Sequence, residues 1–367
     1  MPLAAVQIIT GVILGPNFLG SFFPDIYHYL FNPQNLNLIS GIASWGVMIF
    51  VMLVGLEIDL EKYFKNKLDN IATSLLCFSC PFILGCITAI VMMTFHFIDN
   101  ENNQIQLILA VGLASSVTAL PILSIIMEKL SLRNSKFYYR VINYASLDDI
   151  IVWFVMTLIL LNFSMVFFQT LYFLFLFFSY FISKKTIAKA NNPYYISVIV
   201  LIINSFLADL VELHYIVGAF LTGIIIGKNT FSEKQLSEMR KFVVVTMMPV
   251  FFTLTGIKTQ GQIYNYEIMI MVIVILFSSI FGKMTGAFIS EKIFKWDKGE
   301  YIIVGWLLQT KGLIEVIFIK IMLDRKIFDN NLYVSFIIMA IMSTILTMPV
   351  ILFGTKNRKL LGKLKLK

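Results

Sequence analysis

The sequence predicts an all-α polytopic membrane protein. Three observations predict it: apolar runs of spanning length follow one another along nearly the whole chain, charge is scarce, and most of the positive charge falls in alternate connectors. Of the 367 residues, 58% are hydrophobic and 14% charged, whereas a soluble domain carries roughly 25% charged residues. A bilayer core about 30 Å thick needs roughly 20 apolar residues per helix, and the runs leave no space for a separate soluble domain. Residues 1–367 therefore read as a single transmembrane domain. The net charge of +8 is scattered through short connectors. That distribution orients a membrane protein and builds no face for nucleic acid.

Apolar elements lie near 3–15, 38–56, 70–97, 105–128, 138–162, 164–183, 193–213, 215–227, 242–257, 265–290, 300–323 and 332–354. This gives about twelve transmembrane helices by apolar run length. Connectors 16–37, 98–104, 163 and 212–214 contain no Lys or Arg. The intervening ones hold Lys62, Lys65 and Lys67; Lys129, Arg133, Lys136 and Arg140; Lys184, Lys185 and Lys189; Lys228, Lys234, Arg240 and Lys241; and Lys292, Lys295 and Lys298. Cytoplasmic loops retain positive charge, so this second set is placed inside. The basic tail 356–367 is placed there too, making the C-terminus cytoplasmic. The expected location is a bacterial inner (plasma) membrane.

Two motif pairs recur in the halves of the chain. Gly11-Val-Ile-Leu-Gly15 matches Gly223-Ile-Ile-Ile-Gly227, and Phe50-Val-Met-Leu-Val-Gly55 matches Phe251-Phe-Thr-Leu-Thr-Gly256. By the charge assignment the matched elements run in opposite directions, which predicts inverted repeats, the architecture of many secondary transporters. The first repeat is assigned to 1–162, a linker helix and loop to 163–192, and the second repeat to 193–355. The second repeat has six elements and the first five, so the first helix of a 13-helix fold is expected to be missing.

Ionisable residues inside spans are expensive and mark pathways, relays or pairs. Six fall well inside the spans: Asp148, Asp149, Asp209, Lys283, Lys311 and Glu315. Asp148 and Asp149 sit near mid-membrane, about 100° apart on their helix. Two carboxylates that close repel, so one of them has reason to hold a proton or a cation. Lys283 is the cation expected to pair with one aspartate and leave the other free; Gly282 and Gly286 in its span invite close approach by another helix. For Lys311 and Glu315, four residues apart, two readings stand: they neutralise each other on one helix face, or Lys311 neutralises the dipole ends of broken helices. Gly312, and Ser115-Ser-Val-Thr118-Ala-Leu-Pro121 in the earlier span, point to two crossing broken helices; a proline kink is the alternative at Pro121. Asp209 and His214 form either an outer-mouth funnel for protons or cations, or an interfacial cluster. Cys77, Cys80 and Cys86 share one apolar run and read as packing residues.

Taken in order, these segments resemble the monovalent cation:proton antiporter family 2. They are most similar to its cation/H⁺ exchanger branch, first known from plants. The resemblance rests on Gly11-Val-Ile-Leu-Gly-Pro16; Val54-Gly-Leu-Glu57-Ile-Asp59; Ser116-Val-Thr-Ala-Leu-Pro-Ile-Leu123; Leu147-Asp-Asp149 with Trp153; Asp209 and His214 before Gly218-Ala-Phe220; Pro249-Val-Phe-Phe252 with Gly256; Gly282-Lys283; Thr310-Lys-Gly-Leu-Ile-Glu315; and Met339-Ala through Met348-Pro349. It implies that Asp149 alternately binds proton and cation, that Lys283 pairs with Asp148, that Thr118 completes the cation site, and that Lys311 is the basic residue of the second broken helix. The implied protein is no enzyme but a secondary active transporter. It exchanges Na⁺ or K⁺ for protons by alternating access, works as a homodimer in the lipid bilayer, and needs no cofactor and no resident metal. A cation channel, or an inactive or structural remnant, are the alternatives.

Overall fold

A computed structural model describes residues 3–56, 68–98, 104–130, 132, 135–161, 165–186, 193–227, 230–258 and 266–353. The described elements are all helical: α1 (Leu3–Leu14), α2 (Leu19–Phe22), α3 (Pro24–Leu30), α4 (Pro33–Leu56), α5 (Leu68–Thr94), α6 (Gln104–Ser116), α7 (Leu120–Lys129), α8 (Lys136–Ile159), α9 (Val166–Thr186), α10 (Pro193–Leu210), α11 (Tyr215–Ile226), α12 (Glu233–Phe242), α13 (Met248–Ile257), α14 (Tyr266–Phe294), α15 (Glu300–Leu308), α16 (Leu313–Asp324) and α17 (Asn330–Phe353). Among the described residues, seven helices are long and apolar enough to cross a membrane: α4, α5, α8, α10, Glu233–Ile257, α14 and α17. Shorter apolar helices accompany them, and the chain is an all-α polytopic membrane protein. The basic tail 356–367, Glu57 and Asp59, Arg133, and the connector lysines Lys62, Lys65, Lys67, Lys189 and Lys228 lie outside the described residues.

Each of the twelve apolar runs is helical over most of its described residues, and local chemistry moves several boundaries. The segment 16–37, read as a connector, contains α2 and α3, and α4 begins at Pro33. Pro24 and Pro33 each open a helix, where the missing N–H costs no hydrogen bond. Asn32 Oδ1 accepts from Asn35 N at 2.8 Å ahead of α4. Residues 228–241 also read as a connector, yet α12 starts at Glu233 under a capping box between Ser232 and Gln235. A π turn at Val243–Met247 joins α12 to α13. Pro249, two residues beyond, cannot donate to a carbonyl one turn back, and the wider turn accommodates that loss.

The chain divides into two compact units, each drawn from both halves of the sequence. One contains α4 and α9–α13, with α1 from Val6 onward and α2–α3. Lipid is as apolar as leucine, so helices in a membrane associate through close packing and hydrogen bonds instead of the hydrophobic effect. In this unit the repeated glycines provide the packing. A Cβ on Gly11 would fall 2.1 Å from Thr253 O, and one on Gly223 would fall 2.2 Å from Met52 O. Reciprocally, a Cβ on Gly256 would meet Ile8 O at 2.2 Å, and one on Gly55 would meet Phe220 O at 2.3 Å. Exchanging the matched motifs turns the Gly11–Gly256 contact into the Gly223–Gly55 contact, atom for atom at the nearest carbonyl.

The other unit contains α5–α8 and α14–α17. Helix α5 packs along both α14 and α6. Gly282 lies against Pro81, Gly286 against the backbone of Leu76 and Cys77, and Gly85 against Gly112. The loss of side chains at these crossings lets three helix backbones meet and buries the face of α14 that carries Ser279 and Lys283. Tyr144, Ala145, Leu123, Val304 and Leu307 belong to a buried apolar cluster in the same unit.

Candidate ion-binding site

Two helices of this second unit stop in mid-course. Residues 117–119 separate α6 from α7, and 309–312 separate α15 from α16. Each interruption leaves backbone groups without intrahelical partners, which must find others. The breaks supply one another: Ala119 N–H donates to Thr310 O at 2.7 Å. Helix α17 secures the second break, with Ser343 Oγ donating to Gln309 O at 2.8 Å. Thr344 Oγ accepts from Lys311 N at 3.1 Å and shares its own proton between Lys311 O at 2.7 Å and Ala340 O at 2.9 Å.

Asp148 and Asp149 stand midway along α8 and are 2% and 9% exposed. Because adjacent residues diverge by about 100°, they meet different surroundings. Lys283 Nζ, wholly buried, lies 3.1 Å from Asp148 Oδ2 and donates to Thr118 Oγ at 2.8 Å. The Thr118 hydroxyl passes its own proton to Leu308 O at 2.8 Å. One turn earlier on α14, Ser279 Oγ donates to Ser115 O at 2.6 Å. Helix α14 thus presents a serine and a lysine to the first break. Oδ1 of Asp148 and of Asp149 are buried with no hydrogen-bond partner among the described residues.

Lys311 Nζ donates to Ala114 O at 3.2 Å and Ser115 O at 2.9 Å. These are among the last carbonyls of α6, where the helix dipole is negative. Glu315 Oε1 lies farther from the same ammonium, at 3.9 Å. Asp148, Asp149, Thr118, Lys283, Lys311 and Glu315 therefore share one unit. Asp209 and His214 belong to the other: Asp209 is exposed on α10, and His214 is the buried N-cap of α11, its Nδ1 accepting from Ile216 N at 3.3 Å. Ser279, Gln309, Ser343 and Thr344 escape the sequence reading. A polar pair within the apolar run of α17 was the signal that could have found two of them.

Removal of Lys283 leaves the buried Asp148 carboxylate without its cation. Breaking such a pair costs about 3–5 kcal/mol. Lys283→Met is expected to lower the thermal unfolding temperature in detergent, and adding Asp148→Asn to restore most of it, since an apolar and a neutral residue then face each other.

The comparison with known sequences decides the family. A family model described as "Sodium/hydrogen exchanger, transmembrane" matches residues 1–354. The chain belongs to this family. Among relatives of this sodium/hydrogen exchanger family member, Cation/H(+) antiporter 17 of Arabidopsis thaliana is 26% identical over 382 residues, covering 99% of this chain and 46% of that protein. Na(+)/H(+) antiporter NhaS4 of Synechocystis is 27% identical over 94% of this chain and 89% of its own length. The Na(+)/H(+) antiporter of Enterococcus hirae is 25% identical over 97% and 92%. The exchanger-family chain spans about half the length of the plant relatives it matches and most of the two bacterial ones.

Proposed function

We propose that the protein is a monovalent cation/proton antiporter in which Asp149 binds the cation and the proton in turn. The charge count at the two breaks carries the reading: three buried acids, Asp148, Asp149 and Glu315, stand against two buried ammonium groups, Lys283 and Lys311. One negative charge is left over, and a buried charge is costly unless paired. A single proton or a single monovalent cation restores the balance. Because either occupant does so, each displaces the other and the two fluxes oppose. Asp148 is engaged by Lys283, which leaves Asp149 as the acid that accepts the occupant; Thr118, hydrogen-bonded to the same lysine, is proposed to complete the site.

In this reading the unit holding both breaks carries Asp149 alternately to the two sides of the membrane, and the other unit is the scaffold of a homodimer. The reciprocal contacts of the repeated glycines support inverted repeats over 1–162 and 193–355, with 163–192 as the linker. The protein resides in a bacterial plasma membrane with its tail, 356–367, cytoplasmic. If Lys283 keeps its proton, exchange is one for one. If it releases that proton when the cation arrives, two protons move per cation, and membrane potential contributes about 2.3 kcal/mol per net charge per 100 mV.

Everted vesicles with an acidified lumen provide the test. Addition of Na⁺, K⁺ or Li⁺ is expected to collapse the dye-reported pH gradient for at least one of the three, and the ranking gives the selectivity. A gradient that none disturbs, or a cation current whose reversal potential ignores pH, overturns the proposal.

A further inference from the structure

Glu315 is wholly buried, and both of its carboxylate oxygens lack a hydrogen-bond partner among the described residues. It occupies the first turn of α16, where the dipole favours negative charge, yet it caps no backbone amide there. Its neighbour Lys311 gives its short hydrogen bonds to Ala114 O and Ser115 O and stands 3.9 Å from Glu315. The ammonium is thus shared unequally between two acceptors it can reach. Two carbonyls at the end of a broken helix hold it, and a carboxylate one turn along its own chain waits beyond hydrogen-bond distance. The second acceptor's strength depends on its proton.

We propose that Glu315 is a second proton-binding site, distinct from Asp149, and that its protonation decides whether Lys311 covers or releases the carbonyls of the first break. With a proton on Glu315, Lys311 has no anion to approach and stays on Ala114 O and Ser115 O. When Glu315 gives that proton up, its carboxylate draws the Lys311 ammonium off the carbonyls, and Ala114 O becomes free to serve a cation. Ser115 O keeps the Ser279 hydroxyl. Lys311 stays charged throughout, so the step moves one proton and breaks no covalent bond. It deepens the antiport reading and rests on it. A proton on Glu315 offsets the same surplus of buried negative charge that draws a cation to Asp149, so it weakens the hold on the cation, and a cation beside Asp149 in turn favours release of the Glu315 proton.

The surroundings contain few competing groups. Helix α6 has no titratable side chain, and α17 contributes only Tyr333. The charges of α7, Glu128 and Lys129, lie at its far end from the break, as does Glu300 on α15. On α16 itself, Lys320 and Asp324 pair with each other beyond Glu315. Lys283, already bound to Asp148, is the other cation of the cluster.

Infrared difference spectra of the purified protein, recorded across a pH titration, test the proton site without reference to transport. A protonated-carboxyl signal that titrates in wild type is expected to persist in Asp149→Asn and to vanish in Glu315→Gln. If the titrating signals of Glu315→Gln match wild type, the proposal is overturned. Should Glu315→Gln fail to fold, Glu315→Asp carries the same test, through a displaced signal expected and an unaltered one overturning it. In proteoliposomes, Glu315→Gln, which fixes the neutral form and removes the surplus charge, is expected to weaken exchange by raising the cation KM at least about fivefold, the lower end of typical coupling between sites, and to flatten its dependence on pH. A wild-type KM at every pH refutes the control of Lys311. Loss of exchange in Asp149→Asn concerns the antiport reading alone and leaves the infrared result to stand by itself.

Discussion

Asp149→Asn is expected to abolish cation/proton exchange while leaving the amount of folded protein in the membrane unchanged. Asparagine matches aspartate in shape, so the packing of α8 is preserved, and no ion pair is lost because Lys283 is held by Asp148. What changes is the charge count. With Asp149 neutral, the remaining acids and bases at the breaks balance, and an entering cation becomes an uncompensated charge in a buried site. An unpaired buried charge costs about 3–5 kcal/mol, which is a loss of roughly a hundredfold or more in occupancy. Dye-reported pH collapse in everted vesicles, normalised to protein content, measures it. A variant as active as wild type removes Asp149 from the mechanism.

Gly282→Ala is expected to cost about 3 kcal/mol or more, at or beyond the upper end of ordinary overpacking. The added Cβ would lie 2.2 Å from Pro81 Cα and 2.6 Å from Pro81 N. Neither atom belongs to a flexible side chain, so α5 and α14 must separate along their whole contact. Lys283 is the next residue, and the displacement that relieves Pro81 also carries its ammonium away from Asp148 and Thr118. Transport and thermal stability should therefore fall together. Gly305→Ala is the internal comparison, because its Cβ would press on Met284 Cε and Sδ, the free end of a pliable chain. Gly41→Ala, with nothing within 4 Å, is expected to be neutral. Unfolding in detergent followed by tryptophan fluorescence orders the three.

The fold was legible in the sequence to the extent that single elements announce themselves. Twelve apolar runs, the paired aspartates, Lys283 and the glycine motifs are local signals, and each run is helical where expected. Both interruptions had a local cause as well, since Ser115 to Pro121 and Gly312 mark places where a helix is weakly held. Contacts between distant segments were not legible. Nothing near Thr344 says that its hydroxyl will clamp Lys311 from both sides, and nothing near Pro81 says that Gly282 will rest upon it. The competing readings of Lys311 and Glu315 could not be separated either. Their spacing of four residues is compatible with a direct pair, and only the arrival of Ala114 O and Ser115 O from a remote helix diverts the ammonium. Polarity misled the reading at 228–241, where a charged stretch turned out to be the capped beginning of a helix.

The backbone hydrogen bond from Ala119 to Thr310 sets a timetable for the protein's birth. Its partners are 191 residues apart. A ribosome adding about 5–20 residues per second delivers Thr310 roughly 10–40 s after Ala119. Throughout that interval the first break sits in or beside the bilayer with its amides and carbonyls unanswered, where neither lipid nor its own helix can bind them. The nascent chain must therefore be sheltered, by the insertion machinery or by lingering at the membrane surface, and the unit that holds both breaks can close only near the end of synthesis. Helix α17, which clamps the second break, is later still. Shortening the chain within its last helices should thus lead to clearance of the whole protein by quality control, even when every preceding helix has been inserted.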